Sequence, residues 1–190
     1  VMTKEKWLGN AVAEISKYFS KLGYQVPPVN VSIGFTSYGK RSSTVGECWP
    51  RKAASDKRNV IFINPNHRDS KGIISTLIHE MVHAVDDCEH RHGLEFKRIA
   101  TDVGLTGKMR STVPGDELSD YISRLINKLG KYPESFLDVV SVPRASRQTP
   151  KAKCPSCSYR VSVPREMVEY GPPFCPIHNE KMEKKGDWNP

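Results

Sequence analysis

Blocks of apolar residues alternate between helical and strand-like spacing along the chain, and this pattern predicts a mixed α+β fold. Four segments carry apolar residues three and four positions apart, as amphipathic helices do; they are residues 4–22, a segment that begins at residue 71, and residues 94–103 and 116–129. Three others alternate apolar and polar residues, which predicts the strands of a small sheet; they are residues 29–35, 44–49 and 59–63.

Glycine and proline divide these blocks and predict where the chain turns. Residues 106–115 contain two Gly and one Pro and are predicted to be a loop. Residues 143–152 lose all apolar periodicity and read as a linker. The predicted organisation is therefore one domain at residues 1–142, a linker at 143–152 and a small second domain at 153–190.

The helix that begins at residue 71 carries the chemistry. His79, Glu80 and His83 form the pattern H-E-x-x-H, and histidines four positions apart lie on the same face of a helix, where they can share one metal ion. Glu80 follows the first histidine directly, which places a carboxylate where a general base is needed to activate water. The neighbouring residues are apolar, so we expect this helix to be buried.

A catalytic zinc needs a third protein ligand and one open position, and His92 is the natural candidate. The polar residues 84–91 can end the helix and turn the chain back, and Gly93 lets the backbone approach the site. His90 is an alternative two residues away, and Cys88 is a weaker one. A glutamate from a later helix would also serve; the available ones are Glu95 and Glu117.

Three further residues have a plainer reading. His67 is expected on the surface, Tyr121 in the core rather than stabilising an oxyanion, and Cys48 as an ordinary small apolar residue.

Cysteine spacing near the end of the chain predicts a second, structural zinc. Cys154 and Cys157 are separated by two residues, as are Cys175 and His178, and 17 residues lie between the two pairs. This interval is typical of a two-knuckle zinc ribbon, in which four ligands close the shell and leave no position for water. So short a segment has too few apolar residues to fold by burial alone, so the metal supplies the missing stabilisation.

H-E-M-V-H-A followed by H-G-L-E-F-K-R-I-A resembles the SprT-like zinc metallopeptidases, and so do the upstream G-E-C-W and N-V-I-F-I-N-P segments and the cysteine-rich tail. The resemblance implies a zincin-like minimal metallopeptidase domain followed by a zinc ribbon. In zincin-like folds the strand before the metal-binding helix commonly borders the cleft, but whether residues 59–63 do so stays open. Spartan-type relatives cut proteins covalently trapped on DNA, so the implied substrate is a DNA-associated protein.

The predicted reaction is therefore hydrolysis of peptide bonds, with zinc at His79, His83 and His92 and Glu80 as the general base. Two rivals remain: a zinc-stabilised nucleic-acid adaptor that cuts nothing, and a zinc hydrolase of a non-protein amide. Retention of Glu80 argues against the first. The absence of an apolar leader, which also predicts a cytoplasmic protein, or a nuclear one in a eukaryote, argues against the second.

Charge points to a polyanionic partner. Residues 144–190 carry nine Lys and Arg against five Asp and Glu, which is half of the formal net charge of +8. Tyr159, Tyr170 and Phe174 are interleaved with these cations, so both phosphate contacts and base stacking are available. We expect DNA, single-stranded or at a junction, as a partner; the alternative is that the three rings form the core of the ribbon. No apolar run is long enough to span a membrane.

Overall fold

The computed structural model describes residues 2–39, 43–133 and 149–189. The chain divides into two compact units, Val1–Val139 and Val140–Pro190. The predicted mixed α+β class is confirmed, because several helices accompany three small sheets. Residues 134–142, at the end of the predicted first domain, and most of the predicted linker lie outside the described residues.

The helices of the first unit follow the predicted pattern closely. They are α1 (Lys4–Lys21), α2 (Ser70–Val85), α3 (Leu94–Asp102) and α4 (Asp116–Leu129). Thr3 caps α1 by accepting a hydrogen bond from the Lys6 amide, and Asp69 caps α2 in the same way from the Gly72 amide. All four contribute to one core; its largest fully buried side chains include Trp7, Phe19, Phe96, Ile74 and Leu77.

A three-stranded sheet packs against α1 and α2. Its strands are β1 (Val29–Ile33), β2 (Gly46–Trp49) and β3 (Asn59–Ile63), in the order β1-β3-β2. Strand β3 pairs in parallel with β1 and antiparallel with β2. Because β3 is paired on both sides, residues 59–63 are not the edge of the sheet. Among the described strands, β2 and β1 hold the edge positions.

Residues 106–115, predicted as a loop, instead form most of a β-hairpin, so that prediction was wrong. Strand β4 (Leu105–Lys108) pairs antiparallel with β5 (Ser111–Pro114). Gly107 takes the left-handed conformation inside β4, with φ of 86°. The Gly115 amide donates to the Gly104 carbonyl and closes the open end of the hairpin. The glycines that favoured a loop in the sequence are therefore part of the hairpin in the structure.

The second unit contains a small three-stranded antiparallel sheet. Its strands are β6 (Lys151–Lys153), β7 (Arg160–Ser162) and β8 (Glu183–Lys185), in the order β7-β6-β8. Strand β6 begins two residues before the predicted start of the ribbon. A tiny core holds the unit together; its buried members are Ala152, Cys154, Val163, Cys175 and Met182.

Candidate active site

Helix α2 presents its chemistry from a buried position. Its apolar residues, among them Ile78, Met81 and Val82, are fully buried, so the helix cannot rotate without exposing them. His79 and His83 lie one turn apart with ring centroids separated by 5.2 Å. Glu80, between them in sequence, is only 6% exposed. Packing of the apolar residues thus fixes the direction of all three polar side chains.

A tight chain reversal after α2 brings His92 back to the same place. Asp87 is held in the left-handed conformation, and its Oδ1 accepts hydrogen bonds from the Arg51 amide and the Asn59 side chain, both at 2.9 Å. The Nε2 of His92 then lies 3.3 Å from Nε2 of His79 and 3.3 Å from Nε2 of His83. The three imidazole nitrogens thus lie close enough together that they could hold one metal ion.

The alternative ligands are placed elsewhere. His90 Nδ1 lies 2.6 Å from Asp86 Oδ1, which ties this ring to the turn and leaves it exposed. Glu95 pairs with Arg98 at 2.6 Å. Cys88 lines the cleft, but its thiol donates to the Cys48 carbonyl. Neither Glu95 nor Cys88 belongs to a group of described residues that could hold a metal.

The remaining side chains singled out in the sequence lie outside the cluster too. Glu117 lies in the first turn of α4. Tyr121 packs on the core and stacks on Tyr18, as expected. His67 is half-buried rather than on the surface, with its Nε2 3.3 Å from Thr76 Oγ1.

The spacing of the three nitrogens fits zinc. Two nitrogens bound tetrahedrally to one zinc at about 2.0–2.1 Å lie about 3.3 Å apart, which matches the two Nε2 distances of 3.3 Å. The protonation state fits as well. Burial, with the neighbouring histidines adding to the effect, lowers the pKa of His79 to about 4 and that of His83 to about 3. Neutral imidazole is the form that binds metals, so these residues could hold the ion at physiological pH.

Two residues outside the H-E-x-x-H motif orient the rings. Phe96 of α3 is fully buried, and its ring lies 4.4 to 5.0 Å from the ring centroids of all three histidines. Thr112 of β5 places its hydroxyl 2.8 Å from His79 Nδ1, where its oxygen can accept a hydrogen bond from Nδ1–H and leave Nε2 free for a metal. The sequence gives no sign of Thr112, because residues 106–115 are predicted to be a loop.

Glu80 depends on a glycine for its position. A Cβ on Gly46 would lie 2.9 Å from Glu80 Oε1 and 2.5 Å from Thr76 Cγ2, so the side chain of Glu80 occupies the space that a larger residue would need. Burial raises the pKa of Glu80 to about 8, nearby Glu47 adds to the rise, and a hydrogen bond from the Cys48 amide opposes it. Gly46 stands in the G-E-C-W segment, whose role the sequence did not reveal.

A cleft of about 970 Å³ opens over the histidines and Glu80. One part of its lining comes from β2 and the residues before it, including Tyr38, Val45 and Glu47; another comes from the chain reversal and the hairpin, including Arg91 and Arg110. Tyr38 is 75% exposed and Val45 46% exposed. The cleft therefore offers apolar and charged surface beside the polar cluster.

The second cluster lies in the second unit and consists of Cys154, Cys157, Cys175 and His178. His178 Nδ1 lies 3.6 Å from Cys154 Sγ and 3.8 Å from Cys175 Sγ, and the sulfurs of Cys157 and Cys175 are 3.9 Å apart. Zinc–sulfur bonds of about 2.3 Å in a tetrahedron predict sulfur separations of about 3.8 Å. The four predicted side chains are thus brought together in an arrangement that could hold a metal.

Tyr159, Tyr170 and Phe174 do not form the core of this unit, so that alternative was wrong. Tyr159 is 40% exposed, Tyr170 76% and Phe174 61%. The buried core instead consists of small and aliphatic side chains together with two of the cysteines. The three rings are therefore free to contact a partner.

A family model described as the SprT-like family matches residues 14–115, a stretch that runs from α1 to the end of the hairpin and includes all three histidines and Glu80. No curated protein and no solved structure matches the chain. No helix in the described part of the chain combines the length and apolarity that crossing a membrane requires.

Proposed function

The chain belongs to the SprT-like family, and we propose that its first unit is a zincin-like, zinc-dependent endopeptidase that hydrolyses peptide bonds in proteins, especially proteins bound or crosslinked to DNA. The observation that carries this proposal is the convergence of three neutral imidazole nitrogens beside a buried glutamate in an open cleft. A structural metal site would be closed by a fourth ligand, and none of the described residues supplies one here.

His79, His83 and His92 would hold the zinc, which when bound acidifies water and polarises a carbonyl group. Thr112 keeps His79 in the tautomer that offers Nε2, and Phe96 restrains the three rings. In its ionised form, Glu80 accepts a proton from the attacking water and delivers it to the departing amine. Its burial beside Gly46 holds the carboxylate in one place for both transfers.

Strand β2 can align the substrate. It borders the cleft through Gly46, Glu47 and Cys48, and among the described strands it pairs only with β3. An extended peptide can add to such an edge by main-chain hydrogen bonds, which do not depend on the substrate's sequence. This arrangement suits an endopeptidase that acts on many different proteins.

Glu80→Gln tests the reaction. The amide keeps the shape of the side chain but cannot accept the proton, so hydrolysis of an unfolded protein such as casein should fall to background while zinc content and thermal stability stay unchanged. Hydrolysis by Glu80→Gln at the parental rate would refute the assignment of the base. The inactive variant also reveals any contaminating protease, which would survive the substitution.

The second unit is proposed to bind DNA and so to raise the local concentration of DNA-bound substrates. The exposure of Tyr159, Tyr170 and Phe174 supports this role, because bases can stack on accessible rings. In the full chain, Tyr170→Ala and Phe174→Ala should each weaken binding to single-stranded DNA by about tenfold. Met167 is also exposed, at 51%, and Met167→Ala is the matched control with no ring to lose. Equal DNA affinities for all these variants would refute the proposal that bases stack on Tyr170 and Phe174.

A further inference from the structure

Acidic and basic residues that line the cleft belong to different elements of the fold. The carboxylates of Glu47 and Glu80 belong to β2 and α2. Glu47 is already engaged, because its two oxygens accept hydrogen bonds from the amide and hydroxyl of Ser37. The chain reversal and the hairpin contribute two cations, Arg91 and Arg110, and both line the cleft. A substrate entering the cleft therefore meets positive charge on the side of His92.

Neither arginine has a hydrogen-bond or ion-pair partner among the described residues. Other arginines of this unit are paired, such as Arg51 with Asp87 at 3.3 Å and Arg98 with Glu95 at 2.6 Å. Both cleft arginines are exposed, so their guanidinium groups can bind a ligand without first breaking a hydrogen bond or ion pair to the described part of the chain.

The backbone ties both arginines to the histidine cluster. Arg91 precedes His92 and has a φ of 48°; the turn around it is fixed by the hydrogen bond from the Gly93 amide to the His90 carbonyl. Arg110 occupies the hairpin turn, two residues before Thr112, whose hydroxyl contacts His79. The positive charge of Arg110 acts together with burial to lower the pKa of His92. Both cations are thus held near the reacting centre.

We propose that Arg91 and Arg110 form a carboxylate-binding subsite, so that the peptidase prefers substrates with an aspartate or glutamate close to the scissile bond. This inference rests on the proposed peptidase function. The planar guanidinium group matches a carboxylate with two parallel hydrogen bonds. An exposed guanidinium group contributes to binding when an acidic side chain of the substrate arrives, and it repels a basic one.

The test is a series of fluorogenic peptides in which glutamate, glutamine or lysine is placed in turn at each position around the scissile bond. The zinc-loaded full chain should cleave the best glutamate peptide with a kcat/KM about tenfold above its glutamine counterpart. Arg91→Gln and Arg110→Gln should each reduce this ratio, and the double variant should bring it close to one. Arg110→Lys keeps the charge without the bidentate geometry and should retain part of the preference.

Arg124→Gln is the matched control, since Arg124 is exposed on α4 and does not line the cleft; this variant should keep the parental ratio. A ratio near one for the parental protein at every position, or an unchanged ratio in the double variant, would overturn the subsite while leaving the peptidase function intact.

Binding to Glu80→Gln protein separates the two proposals. If the parental protein cleaves no peptide, the proposed peptidase function is wrong. The subsite is then tested only by binding of labelled peptides, measured by fluorescence anisotropy. Tighter binding of the glutamate peptide, lost in Arg110→Gln, would then support the subsite. If the arginine variants weaken binding of a phosphodiester oligonucleotide while glutamate and glutamine peptides bind equally, the arginines contact phosphate and the inference is wrong.

Discussion

Gly46→Ala should damage catalysis through sterics alone. Gly46 does not have a positive φ, so alanine adds no backbone strain, and the effect comes from the new methyl group. That group would lie 2.5 Å from Thr76 Cγ2, 2.9 Å from Glu80 Oε1 and 3.0 Å from Glu80 Cγ. To reach an ordinary contact of about 3.4 Å, the Thr76 contact must lengthen by about 0.9 Å and the Glu80 Oε1 contact by about 0.5 Å.

Those displacements set the expected magnitude. Overpacking of this kind costs about 1–3 kcal/mol of unfolding free energy. Displacement of a catalytic group by up to about 1 Å costs on the order of a hundredfold in rate. We therefore expect kcat/KM for casein or a generic peptide to fall about a hundredfold, while the histidine cluster keeps its zinc. Elemental analysis, urea unfolding and steady-state kinetics measure the three quantities.

Two variants make this test decisive. Gly9→Ala is the control, because nothing lies within 4 Å of a Cβ at this position of α1; it should stabilise the helix by up to about 1 kcal/mol and leave activity unchanged. Thr76→Ser in the Gly46→Ala background removes the closest contact and should restore stability more than activity, since the contact with Glu80 remains. Full activity of Gly46→Ala would show that Glu80 does not need its present position.

Three further predictions concern the metals. His92→Ala should reduce the zinc content from two ions per chain to one, whereas His90→Ala, which removes a ring tied to the turn, should keep both; equal losses would mean that the wrong histidine was assigned. Thr112→Val should weaken zinc binding in chelator competition by about 10- to 100-fold, and Thr112→Ser, which keeps the hydroxyl, should not. Cys154→Ser should remove the second zinc and the thermal transition of the second unit; two zinc ions in that variant would exclude the four-ligand cluster.

Most of the helices and strands could be predicted because long periodic segments report which face is buried. Strand β3 has the predicted bounds, 59–63, and α2 begins one residue before its predicted start. Pairing order could not be predicted in the same way. The alternation in β3 predicts that one of its faces is buried, but it does not predict which strands pair with β3 or lie at the edges of the sheet. That β2 borders the cleft could therefore be learned only from the structure.

The histidine cluster shows the same division. Residues that are close in sequence, such as His79 and His83, could be placed together from helical spacing alone. Thr112 is 33 residues from His79, and no local pattern connects them. Its strand has four residues, with Pro114 at the end, and is shorter than the segments in which alternation is informative. The glycines and the proline of residues 106–115 favour a loop in the sequence. Strand β5 forms because it pairs with β4, and no local pattern predicts that pairing.

The missed hairpin consequently matters more for function than its length suggests. Through Thr112 it contacts a predicted metal ligand, and through Arg110 it places a cation in the cleft. Arg110 lies in the turn two residues before Thr112, and the pairing of β5 with β4 holds Thr112 in place. A change in the hairpin would therefore alter metal affinity and substrate preference together. Substitutions at Arg110 alone leave the Thr112 hydroxyl in place. A variant that changes preference without changing zinc affinity would therefore separate the subsite from the metal centre.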